Sequence, residues 1–408
     1  MTTNKPTRLP WAIAGAALLG VAAMWASGRG AATSQRPTVE EAGAVSRAQA
    51  SAADSAADNE PGYWGEVDVE DITLRLPSGY VSLGDCESSF HPWVFDQTPN
   101  AEAAERQMAE LGLTPAQRAR LRPLLECDAQ TCRVQPPDEL VGALSPAVRA
   151  QIMRRLAMVA ENEQLRYPFR RARRYGRWAD MPWLRPTVRD MFARVAYQES
   201  GDDVVVDTSY ACRALQEPAE RIEFMEALKV RYGLAAHLRV DPSTPLEPLA
   251  RWYSRRGNSA EVLSTLRTAQ AGPRRVTLHD LLPPLARLRH DSFPRLDEPA
   301  FDCFWSALHF FDGADASTHL PGLEGFQMAL RTQYQRVPRD ELRYGDMLVF
   351  ISNQGVPTHA VNVITPTLVF TKNGGSPRRP WAIMRLDDVR AQYPNVTDIQ
   401  GYRLRSGA

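Results

Sequence analysis

Apolar residues at Leu144, Val148, Ile152, Leu156 and Val159 recur at three- and four-residue spacing, which lays one buried stripe along a helix. Ser145-Pro146 marks its start, an N-cap followed by proline at the first helical position. Thr114-Pro115 repeats the device after Gly112 closes an earlier helix. Strand-like alternation appears only near 66–76 and 203–206, so 61–295 is expected to be a mostly helical domain. The pattern changes after 295. FDCFWSALHFF (301–311) fits a buried helix capped by Asp302, with Phe304, Leu308 and Phe311 on one face. Gly345-Asp346 turns the chain into MLVFI, a continuously apolar strand, and HAVNVI and LVFT form two strands around Thr365, Pro366 and Thr367. A three-residue hairpin loop there pairs Ile364 with Leu368 and sets His359 opposite Asn373. Thr371 then shares the His359 face and Lys372 points away. The class is α+β.

The N-terminus follows another pattern. Leu9 to Ala26 carries no charge behind Lys5 and Arg8, as in an export signal or an uncleaved membrane anchor over 1–28. Residues 29–60 are rich in Ala, Ser and small polar residues and read as a disordered tether. The body of the protein is therefore expected to be exported, in the periplasm or cell envelope, with the inner membrane as a partner if the segment stays uncleaved. Forty-eight basic residues balance 48 acidic ones, so no nucleic-acid surface is indicated. The one basic cluster, Arg170 to Arg177, reads as a solvated helix face. P-loop, HExxH and GxSxG motifs are absent, and no metal or cofactor is expected.

Compartment decides what the five cysteines can be. Cys127 and Cys132 flank a turn-prone Asp at a spacing that allows a disulfide across a tight hairpin. Cys86 and Cys212 are candidates for a second bridge, although sequence does not fix the pairing. Cys303 is then left over. In the first turn of a helix, unpaired N–H groups and the helix dipole are expected to lower its pKa toward neutrality. His359 is the candidate base, and Asn373 or Thr371 the group that holds its ring. The bland alternatives are a cysteine that packs as a small hydrophobe, a structural histidine at a strand edge, and a simple Asn373-Gly374 turn.

A helix-borne Cys, a strand entered by Gly-Asp, a strand-borne His and a polar residue on the next strand follow in an order that resembles the NlpC-like cell-wall cysteine peptidases, a branch of the papain-like fold. The matching positions are Asp302 and Cys303, then Leu342, Gly345, Asp346 and Met347 to Phe350, then His359, within about 296–392. The resemblance implies a 296–408 domain in which the Cys helix packs on a small antiparallel sheet. It also implies hydrolysis of amide bonds in peptidoglycan stem peptides through a Cys303 thioester, with His359 as base and Asp302 and Asp346 in support. The chain departs from the pattern at Phe304-Trp305, where the family has Ser-Gly, at Thr358, where it has Gly, and at Thr371, where it commonly has His. No clear match exists for the Tyr that borders the family's oxyanion site. Two other classes use the same residues: a non-catalytic envelope-binding or scaffolding protein, and a Cys/His acyltransferase.

Overall fold

The computed structural model describes residues 64–86, 92–165, 169–172, 176, 178–198, 203–254, 259–272, 274–313 and 320–405. The segments read as signal or anchor (1–28) and tether (29–60) lie outside them. All described residues belong to one compact unit of mixed α and β structure. Among them no helix is long and apolar enough to cross a membrane.

The marked helices form where their caps stand. Ser145 accepts a hydrogen bond from Val148 N at the head of Pro146–Leu156, and Thr114 and Gln117 form a reciprocal capping box on Pro115–Leu121. Ile152 and Leu156 are fully buried, as the stripe requires. Helices predominate among the described residues of 61–295, and three three-stranded antiparallel sheets run among them. Most of their strands have only three or four residues, too few for a period of two to show in the sequence. Part of the basic cluster shows the consequence. Phe169–Ala172 is a strand paired with Asp203–Val206 and not a helix face, while Arg173, Arg174 and Arg177 lie outside the described residues.

After residue 300 come helices α1 (Cys303–Leu308) and α2 (Gly322–Gln333), followed by β1 (Tyr334–Val337), β2 (Met347–Ser352), β3 (Pro357–Val363), β4 (Leu368–Lys372) and β5 (Trp381–Arg385). Helix α3 (Leu386–Ala391) and strand β6 (Val396–Leu404) are the last elements of the described residues. The strands form one antiparallel sheet in the order β1-β6-β2-β3-β4-β5. Gly345 enters β2 with φ +78°, and a side chain there would collide with the Phe311 ring. Asp346 accepts from Arg343 N at 2.8 Å and from Arg403 Nη2 at 2.7 Å, which ties that turn to β6. Its role is structural.

Each face of the sheet is covered. Ala360 packs with Ala307, Phe326 and Val349 on the side of α1 and α2, where Asn362 Nδ2 also donates to Ala307 O at 3.1 Å. Phe350, Val361, Val363 and Val369 pack with Leu386 and Val389 on the side of α3. Position 295 does not divide the core, because Val69, Leu238 and Leu249 share one cluster with Trp305, Phe370 and Trp381. Arg378 Nη2, in the segment before β5, donates to Asp85 Oδ2 at 2.9 Å, and Lys229 bonds the same carboxylate. Asp85 stands beside Cys86, which is bridged to Cys212, and Cys127 is bridged to Cys132.

Candidate active site

Cys303 is the one free cysteine and is 5% exposed. Asp302 sets the helix start: its backbone is extended and its carboxylate accepts from Trp305 N at 2.8 Å. Backbone N–H groups of Ala360, Cys303 itself and Phe304 favour its thiolate. They do not prevail. Burial, and then the Asp302 charge, push the thiol up to about 12, so the expectation of a pKa near neutrality is corrected. Helix α1 has only six residues, and its dipole and donors do not offset the loss of water around a buried sulfur.

The hairpin has the expected register. Ile364 N donates to Leu368 O at 2.9 Å, with Val363 opposite Val369 and Asn362 opposite Phe370. His359 is fully buried against Phe350, its partner in the β2–β3 ladder, and under the ring of Tyr393, stacked at 4.4 Å. Nε2 lies 3.0 Å from Thr371 Oγ1, and Nδ1 lies 3.0 Å from the Tyr393 hydroxyl. Thr371 Oγ1 donates in turn to Asn373 Oδ1 at 3.5 Å, so its lone pairs accept from Nε2–H and Nδ1 is left as the acceptor for Tyr393. Burial holds the imidazole down to about 3, hence neutral, against a smaller opposing effect of Asn373.

Thr371 and Asn373 are thus both brought to His359, with Thr371 in contact and Asn373 behind it. Cys303 is brought to the same strand, but among the described residues no hydrogen bond joins it to His359. Alternation along β3 explains why: His359 turns toward α3 with Val361 and Val363, while the thiol meets the backbone N–H of Ala360, the next residue.

Two residues at this site escaped sequence reasoning. Lys372 does point away from His359, yet it is fully buried on the Cys303 side. Its Nζ donates to Gly374 O at 2.7 Å and Ser376 O at 3.1 Å, and burial lowers its pKa to about 8 despite the neighbouring Cys303 and Asp302. The loop it pins covers the start of α1, since a Cβ on Gly375 would stand 3.9 Å from Asp302 Cβ. Position alone carries the signal, for Lys372 continues the buried face of Leu368 and Phe370. Tyr393 arrives from beyond α3 and has no local signature. No group of three or more His, Cys, Asp or Glu among the described residues is arranged to hold a metal ion. No family model matches this chain, and neither a curated protein nor a solved structure is similar enough to it to count as a match.

Proposed function

We propose that the protein is an exported cysteine hydrolase of amide bonds, with peptidoglycan stem peptides as its substrate class, and that the structure is its resting form. One observation carries this reading: the only free thiol among the described residues opens helix α1 where it packs on β3, the strand whose His359 ring is held at Nε2 by Thr371 with Asn373 behind it. Packing alone requires neither feature. Two disulfides fit export to an oxidising compartment.

The chemistry begins with displacement of the Tyr393 hydroxyl from His359 Nδ1, which frees the acceptor. A rearrangement of the site must also bring Nδ1 to the sulfur; Nδ1 then takes the Cys303 proton as sulfur bonds to the substrate carbonyl carbon, and the backbone N–H groups around the sulfur stabilise the oxyanion. Collapse breaks the C–N bond while His359 returns the proton to the leaving amine. Water then attacks the thioester, gives a proton to Nδ1, and releases the acid and the thiol. Thr371 and Asn373 keep Nε2–H engaged throughout. No step needs a cofactor.

Full-length protein incubated with muropeptides should yield products heavier in sum by one water, and Cys303→Ala and His359→Ala should each abolish turnover with little change in unfolding midpoint. No hydrolysis by wild type, with both variants strongly destabilised, would return the two residues to packing roles. A second reading has its own support: the thiol and the imidazole are both buried and unjoined, as in a non-catalytic envelope-binding protein on the same scaffold. Polymer binding unchanged in kind by Cys303→Ala, without turnover, would favour it. Product mass carrying an amine or lipid acceptor instead of water would mark an acyltransferase.

A further inference from the structure

At the end of β3 remote from His359 lies a cavity of about 980 Å³. Its floor is apolar, made by Val363, Leu386 and Pro366 of the hairpin loop. Trp64 and Trp252 form one wall, their rings 5.7 Å apart and inclined by 58°. Trp252 is fixed there, because its Nε1 donates to Ile364 O at 2.9 Å. The rim is charged: Arg251, Arg339 and Arg343 line it together with Asp340 and Glu341. Among the described residues none of these five side chains has a hydrogen-bonded or ion-paired partner, whereas Arg75, Arg149, Arg213, Arg239, Arg289 and Arg403 are ion-paired. The volume is that of a small-molecule site.

The ligand can be read from this combination. Two inclined aromatic faces suit the C–H faces of successive pyranose rings, whose slightly positive hydrogens meet the negative face of an indole. Guanidinium groups bind carboxylates through paired N–H donors, and Asp340 and Glu341 accept from hydroxyl or amide N–H groups. A dianionic phosphate would meet those two carboxylates, and a purely apolar ligand would leave five charged groups unpaired. We infer that this cleft binds a carboxylate-bearing oligosaccharide.

Residues from both sides of position 295 line the cleft, which gives the 61–295 region a role. Val363 lies four residues from His359 on the same face of β3, about 13 Å along the strand. The inference does not require Cys303 to react, so its test uses the full chain carrying Cys303→Ala. Isothermal titration would be run with the N-acetylglucosaminyl-N-acetylmuramic acid disaccharide, with neutral chitobiose, and with an acidic tetrapeptide lacking sugar. The acidic disaccharide should bind, and Arg339→Ala with Arg343→Ala should weaken it about tenfold or more. Trp64→Ala should weaken both sugars, and the tetrapeptide should not compete. No heat with the disaccharide at millimolar concentration, affinity unmoved by these exposed-rim variants while they remain folded by circular dichroism, or equal binding of the tetrapeptide would each overturn the inference.

Discussion

Asp302 acts on Cys303 in two opposing ways. Its carboxylate caps α1 through Trp305 N and so fixes the sulfur among backbone donors, while its charge adds to burial in holding the thiol protonated. Asn keeps a capping oxygen and loses the charge. Asp302→Asn should therefore raise the rate of Cys303 alkylation by iodoacetamide at pH 8 several-fold, read by mass of the labelled peptide. An unchanged rate would assign the raised pKa to burial alone. Residues that sit in short local patterns were legible at this scale: Asp302 and Cys303 at a helix start, His359 at a strand start, Thr371 and Asn373 through the hairpin register. The protonation states were not, because they depend on water excluded by chain far away in sequence, including the Lys372-pinned loop and Tyr393.

At the scale of elements, the β3–β4 hairpin was readable because a short loop between two apolar runs admits few registers. In 61–295 the strands Glu66–Leu74 and Asp203–Val206 stand where alternation was read, but the shortest were not legible, since three residues of Leu125–Cys127 or Ala196–Gln198 have no periodicity of their own and gain their partners only through tertiary contact. Disulfides fasten several of these small elements, and they differ in reach. Cys86–Cys212 spans 126 residues and Cys127–Cys132 spans 5. Loop-closure entropy assigns about 5 kcal/mol to the first and about 2 kcal/mol to the second. Replacing each pair by alanine should therefore lower the denaturation midpoint more for Cys86 and Cys212, by guanidinium titration. The reverse order would mean that the short bridge holds more than a hairpin.

For the whole molecule, buried neutral groups set the response to pH. His359 and His290 are both held down to about 3 from 6.5, chiefly by burial, so the unfolded chain binds more protons between those values. Stability is lost as pH falls from about 6.5 toward 3. Cys303 has the opposite sign: the folded chain keeps a proton that the unfolded chain releases above 9.0, so stability falls as pH rises toward about 12. Lys372, lowered to about 8 from 10.5, adds stability as pH rises between those values and partly offsets the Cys303 loss where the windows overlap. Thermal midpoints measured across pH should drop on the acid side, and His290→Gln or His359→Gln should each flatten that drop. A flat acid limb in wild type would mean that these imidazoles are not buried in solution.

The proposed chemistry turns on acylation of Cys303 by an amide substrate. The most direct measurement is an acid quench within the first turnovers on muropeptide, followed by mass analysis of the peptide containing Cys303. Wild type should carry an adduct of the substrate acyl group on Cys303, lost on treatment with hydroxylamine and missing from Cys303→Ala. Substrate hydrolysed at full rate with Cys303 unmodified, or retained turnover in Cys303→Ala, would contradict it.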